Sequence, residues 1–326
     1  MSENNQADLF DTPILFIVFN RPDLTKKVFA EIKKIKPKQL FIAADGPRSG
    51  NANDAIKCQE VRDYLLANID WQCDLQTLFR SDNLGCGLSC AGAVDWFFEQ
   101  IEEGIIIEDD CLPDSSFFVF CSEMLDRYRH QERIMHITGV YSGEPYLSQY
   151  SYYFSRIAPV GAWASWRRAW LKYDYYMKSW PDFLKEQQIR NLFNKKIQQD
   201  FWNWNLNALY LEKLKGTWDV QWAYDVMRSN GLVIHSGVNL VTNIGFTVDA
   251  THSSNAGNIL SNKDKESMEF PLRHPVFIIE NKLADDYKNR YIAGAVWYNF
   301  GIKRFLRDLG LFRLVKSVVY FLKRFL

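Results

Sequence analysis

The chain has no Cys-x-x-Cys pair, no G-x-G-x-x-G loop, no net charge and no apolar run long enough for a clean membrane span. Each absence removes a class of protein. Its cysteines, Cys58, Cys73, Cys86, Cys90, Cys111 and Cys121, lack the spacing of a zinc knuckle or a dithiol redox site. With 39 basic residues against 39 acidic ones, no whole-chain field gathers nucleic acid. Residues 1–11 are polar, without the charged start and apolar run of an export signal. The expectation is a cytoplasmic protein with reduced thiols. Internal repeats and low-complexity stretches are missing too.

What is present is a large supply of core material. Of 326 residues, 47% are hydrophobic, enough for one large α/β domain with additions or two closely packed ones. Residues 14–19 are apolar without a break and end at Asn20-Arg21-Pro22, which suits a strand covered on both faces. Leu24, Val28, Ile32 and Ile35 then recur at helical spacing until Pro37. A second strand, 40–44, stops at the turn Asp45-Gly46-Pro47. A third covers 75–79, and Leu88, Ala91, Val94, Phe98 and Ile101 make another helical face up to Gly104. The fourth, 105–107, runs directly into Glu108-Asp109-Asp110. Repeated β-α-β units of this kind predict a doubly wound, mostly parallel sheet. Beyond 112 the pattern loosens: strands are expected over 135–139 and 231–241, a helix over 180–215, and an aromatic-rich stretch over 152–170.

Three adjacent carboxylates repel one another, which raises at least one pKa unless a cation compensates. Their hard oxygens suit Mg²⁺ or Mn²⁺. One reading is a divalent ion bridging a carboxylate and a diphosphate; the other is a solvated turn with Asp110 capping a following helix. The neighbouring strand ends favour the first. Asn20 and Arg21 end the first strand, and Asp45 ends the second with a carboxylate able to accept the N–H of a uracil. Polar groups thus converge on the rim where open α/β sheets bind ligands.

The stretch 104–120, GIIIEDDCLPDSSFFVF, resembles the matching strand and loop of N-acetylglucosaminyltransferase I. Taken in order, Phe19-Asn20-Arg21-Pro22, Ala43-Ala44-Asp45-Gly46-Pro47, Asn83-Leu84-Gly85, the acidic triplet, and the Asn243-to-His252 segment are similar to bacterial HlpA-like nucleotide-diphospho-sugar transferases. The likeness covers roughly 13–255 and implies a GT-A-type, Rossmann-like fold. It also implies a metal-dependent glycosyltransferase acting on a UDP-sugar. In that scheme Asp110 contacts Mn²⁺ or Mg²⁺, Glu108 and Asp109 face the ribose and donor sugar, and Asp45 reads the base. Asn20 and Arg21 wall the nucleotide pocket, Arg80 reaches the phosphates or the sugar, and His252 closes over the diphosphate or completes the metal shell through a neutral nitrogen.

Transfer to a hydroxyl with inversion needs a base. Asp219, in Trp218-Asp219-Val220-Gln221-Trp222, resembles the tryptophan-flanked acidic segment that supplies it in the N-acetylglucosaminyltransferase, and Asp225 is the second choice. Trp163 and Trp222 are candidates to stack on an acceptor sugar, although aromatics at such spacing are more often core. A sugar-1-phosphate nucleotidyltransferase would carry a glycine-rich loop where this chain has Asn20-Arg21-Pro22-Asp23. A non-catalytic sugar-nucleotide- or membrane-binding protein on the same fold is the rival from another class.

These features divide the chain into a transferase domain over 1–260, nucleotide-binding to about 112 and acceptor-binding beyond, and an extension over 261–326. In the extension, Ile302, Phe305, Leu309, Phe312, Val315, Val319 and Leu322 form one stripe against a basic face with the single acid Asp308. Such a helix lies on an anionic membrane or docks on protein. On the membrane reading the protein is peripheral on the inner face of the plasma membrane, and its acceptor is a glycan or lipid-linked glycan in surface polysaccharide or lipopolysaccharide assembly.

Overall fold

Residues 14–18 hold no side chain that gains from water, and they form β1 (Ile14–Val18), buried along its whole length inside a sheet. The structure is a computed structural model describing residues 9–141, 143, 146, 149–211, 216–245 and 263–289. After β1 come α1 (Pro22–Ile35), β2 (Gln39–Ala44), α2 (Ala52–Asn68), β3 (Asp74–Phe79), α3 (Gly85–Gln100) and β4 (Glu103–Glu108). Next are β5 (Cys111–Pro113), α4 (Ser115–Tyr128), β6 (Ile134–Thr138), β7 (Tyr152–Ser155) and β8 (Ala162–Trp166). The helices α5 (Arg167–Trp170), α6 (Trp180–Lys185), α7 (Ile189–Leu192), α8 (Lys196–Leu211) and α9 (Asp219–Arg228) then lead to β9 (Leu232–Ser236) and β10 (Val241–Asn243).

The main sheet has the order β3-β2-β1-β4-β8-β6-β9-β7. Its first four strands are mutually parallel, while β8 runs antiparallel to both β4 and β6. This is a Rossmann-like α/β fold with a mostly parallel sheet, as the β-α-β pattern predicts. The winding goes out from β1 to β3 and returns past β1 to β4. That reversal leaves a crevice between the carboxyl ends of β1 and β4, the topological switch point of such sheets.

Alternation along β1 assigns its two faces. Ile14, Phe16 and Val18 enter a core with α1, α2 and α4; Leu15 and Ile17 enter one with α3 and a tryptophan cluster. Each such side chain contributes roughly 1.5–3 kcal/mol when fully buried. A one-residue slip would send both sets to the wrong faces, so the register that sets the strand ends is firmly held.

Several expectations change in detail. The helix expected over 180–215 is broken into α6, α7 and α8, with Gln187 at φ 58 in the first gap. Helix α2 had no counterpart in the pattern, and α4 is the helix that follows the triplet. The acid that caps α4 is Asp114, whose Oδ1 accepts the Ser116 N–H at 2.9 Å, and not Asp110. A small antiparallel sheet pairs β10 with β5, Asn243 opposite Cys111, which lays the chain after β10 over the acidic triplet.

Of the expected extension, 263–289 is bonded to the main sheet and to α4. Ser151 N donates to Arg273 O and Asn281 N to Phe154 O, each at 2.8 Å. Met268 N donates to Ser116 Oγ at 2.9 Å. The basic stretch 302–326 lies outside the described residues.

Candidate functional site

The switch-point crevice is where the acids and a cation meet. Arg21 stands at the N-cap of α1, and Pro22 behind it restricts its backbone. Its guanidinium pairs with Asp109 through Nη2 and with Asp110 Oδ2 through Nη1, the latter at 3.0 Å. Asp109 Oδ2 also accepts the Phe19 N–H at 3.3 Å. Among the described residues Asp110 Oδ1 meets only the Cys111 thiol, at 3.3 Å, a weak donor. Burial pushes Asp109 up to about 6 despite Arg21 beside it. Burial works against the Arg21 charge as well, but Asp109 and Asp110 outweigh it and raise that pKa.

Asp110 is held from a third direction by residues far away in sequence. Its carbonyl accepts the Ile244 N–H at 2.8 Å. A Cβ on Gly245 would come within 2.7 Å of Asp110 Cβ and 2.8 Å of its Cγ. Only glycine lets the backbone close on this carboxylate.

The carboxylate of Asp45 is fully engaged. Oδ1 accepts the Gly46 and Leu84 N–H groups, both at 3.0 Å. Oδ2 accepts Asn83 Nδ2 at 3.0 Å and the Gly85 N–H at 3.1 Å. Asp45 therefore staples the end of β2 to the loop that opens α3. Arg62 reinforces the staple by donating to the carbonyls of Asp45 and Arg80, at 3.0 and 2.7 Å.

On the α3 and α9 side the acids lack such answers. Glu108 is half-buried and, among the described residues, takes part in no ion pair. Burial first, then Asp110, Cys86, Asp219 and Asp109 around it, push its pKa well above the usual range. Asp219 opens α9, half-buried, and accepts the Thr217 hydroxyl.

Other expected residues go elsewhere. Trp163 and Trp222 are both 0% exposed, in a cluster with Trp170, Trp218 and Tyr173, so neither presents a face to an acceptor. His136 stacks on Trp163 at 4.9 Å, accepts the Trp222 indole N–H on Nδ1 and donates from Nε2 to Pro159 O. Burial holds that imidazole down to about 3, so it stays neutral. Asp225 is likewise 0% exposed; it accepts the Asp174 N–H at 2.7 Å and pairs with Arg228, which leaves no oxygen for an acceptor hydroxyl. Burial raises its pKa to about 7 against the pull of those partners.

Arg80 turns toward α3, donating to Ser89 Oγ at 3.2 Å. Asn20 Nδ2 donates to Asp54 Oδ1 at 2.7 Å, and Asp54 also pairs with Arg48. His252 lies outside the described residues. Gly245, Asn83, Asp54 and Arg48 are rim residues to which the pattern assigned no role of their own. The Asn243-Ile244-Gly245 and Asn83-Leu84-Gly85 segments carried the signal for Gly245 and Asn83, whereas nothing marked Asp54 or Arg48.

The donor set suits a hard divalent cation in part. Among the described residues no group of three or more His, Cys, Asp and Glu is arranged to hold a metal ion. Among the described residues Asp110 Oδ1 has no strong partner, and Gly245 leaves room beside the carboxylate. That fits Mg²⁺ or Mn²⁺ provided ligand oxygens complete the shell, as phosphates commonly do.

No family model matches the chain, and neither does any curated protein. Solved structures match it only distantly. The mannosyltransferase PcManGT from Pyrobaculum calidifontis, in complex with GDP-Man and Mn²⁺, is 12% identical at a TM-score of 0.32, covering 48% of this chain and 45% of that one. This chain thus spans less than half of that enzyme's length. A UDP-glucose pyrophosphorylase complexed with UDP-glucose is 11% identical at 0.34, over 69% of this chain and 90% of that one. Mouse xyloside xylosyltransferase 1, in its apo form, is 9% identical at 0.34, over 66% and 81%. Similarity at this level says nothing of the reaction.

Proposed function

We propose that this chain is a glycosyltransferase that takes a sugar from a nucleoside-diphosphate donor, a UDP-sugar in the first instance, and passes it to a glycan hydroxyl. The observation that carries the reading is the meeting of Arg21, Asp109 and Asp110 at the switch point, with Glu108 and Asp219 on the adjoining edge. Asp110 and the donor's diphosphate would hold Mn²⁺ or Mg²⁺, which supplies charge neutralisation for the leaving diphosphate.

The remaining roles belong to the chain's own groups. Asp109, buried and paired, orients Arg21. Asp45 acts by positioning the 83–85 loop against the donor, a change from base-reading that its filled carboxylate favours. Asp219 accepts the proton of the acceptor hydroxyl, which implies inversion. Residues up to about 112 form the donor half and those beyond it the acceptor half.

A lipid-linked glycan at the inner face of the plasma membrane belongs to the same proposal, approached through Lys303, Arg304, Arg307, Arg313 and Lys316. Among the described residues no helix is long and apolar enough to cross a membrane.

The test is release of UDP from a panel of UDP-sugars, with Mn²⁺ or with EDTA. We expect one donor to be consumed, only with metal. If neither these nor GDP-sugars are consumed, with or without a glycan acceptor, the reading is wrong.

A further inference from the structure

We propose that Arg21 is the resident counter-cation of the acidic rim and competes with a divalent cation for the oxygens of Asp109 and Asp110. This rests on the donor-site reading but makes a separate claim about the protein without donor.

The argument begins with the oxygens. Of the four on Asp109 and Asp110, Arg21 takes one on each residue, and the Phe19 N–H takes a third. The last, Asp110 Oδ1, has among the described residues only a thiol contact. A divalent cation arriving alone would therefore find one weakly engaged oxygen and a guanidinium already neutralising the pair. Mg²⁺ and Mn²⁺ take about six oxygen ligands, so such a site holds them poorly.

The guanidinium can yield without disturbing the fold. Its backbone is fixed by Pro22 and by the Thr25 N–H, which donates to Arg21 O at 2.9 Å, so only side-chain torsions need change. A nucleoside diphosphate would offer the planar guanidinium a multiply charged partner able to accept two hydrogen bonds, and give the cation its missing oxygens. Cation and diphosphate should then each tighten the other's binding, as linkage requires of any coupled pair.

The experiment titrates MnCl₂ into the protein and follows bound Mn²⁺ by water-proton relaxation, without nucleotide and then with UDP. It compares the unaltered chain with Arg21→Met, Arg21→Gln and Asp110→Asn. Arg21→Gln keeps hydrogen-bond donors but not the charge, and stands in if Arg21→Met does not fold by near-ultraviolet circular dichroism.

We expect either Arg21 variant to bind Mn²⁺ alone at least tenfold more tightly than the unaltered chain, and Asp110→Asn to lose that binding. Equal or weaker Mn²⁺ binding by a folded Arg21 variant overturns the proposal, as does an absence of Mn²⁺ binding in every variant. The UDP arm separates the two claims. If UDP fails to tighten Mn²⁺ anywhere while the Arg21 effect holds, the donor reading falls and the counter-cation stands. If UDP tightens Mn²⁺ but the Arg21 variants match the unaltered chain, the reverse is true.

Discussion

Two corners of the same rim treat their acids differently. At the β1–β4 crevice, Asp109 and Asp110 are answered by Arg21 and by the Phe19 N–H. Toward α3 and α9, Glu108 and Asp219 are both half-buried, and among the described residues neither is in an ion pair. A guanidinium offsets part of the cost of burying a carboxylate as an ion, as Arg21 does for Asp109. Glu108, buried among other acids with no cation beside it, is destabilised as an ion. On the proposed reading this contrast divides the labour: the paired corner holds the diphosphate, and the other handles the proton.

That division can be broken by replacing one acid at a time. Asp219→Asn should cut transfer by about a hundredfold or more, the usual range for a lost base, while donor affinity stays within about twofold. Steady-state rates alongside UDP titration check this. A fall in donor affinity instead would merge the two corners. Full activity would move the base to another group, and Asp225 is too enclosed to be that group.

A smaller effect sharpens the role of Asp45. Asp45→Ala strands the N–H groups of Gly46, Leu84 and Gly85 and the Asn83 amide, and should cost at least about 1–3 kcal/mol of stability by urea unfolding. If stability is unchanged and UDP affinity alone falls, Asp45 reads the base after all.

How much of this was legible depends on the range of the interaction. The unbroken apolar run of β1 and the turn after β2 are local signals, and both delivered their strand ends where the pattern predicts. The acids Glu108, Asp109 and Asp110 followed because β4 is equally plain.

Partners are another matter. Nothing local says that Arg21 bridges two residues almost 90 positions away, or that Gly245 closes on Asp110. Helix α2 escaped because its buried stripe is narrow and includes a charged residue: Asp54, Cys58, Val61 and Leu65. Trp163 and Trp222 have the composition of a sugar platform and the burial of a core, and sequence shows only the composition. Asp219 and Asp225 lie on one short helix; which of them faces inward is decided by the 172–178 loop packing against Asp225.

The most direct test of the central claim, that this rim holds a nucleoside diphosphate through a divalent cation, is calorimetric titration of UDP with Mn²⁺ and then with EDTA. The account predicts binding in the presence of Mn²⁺ and its loss in EDTA. Equal affinity in both conditions, or no binding in either, would contradict it.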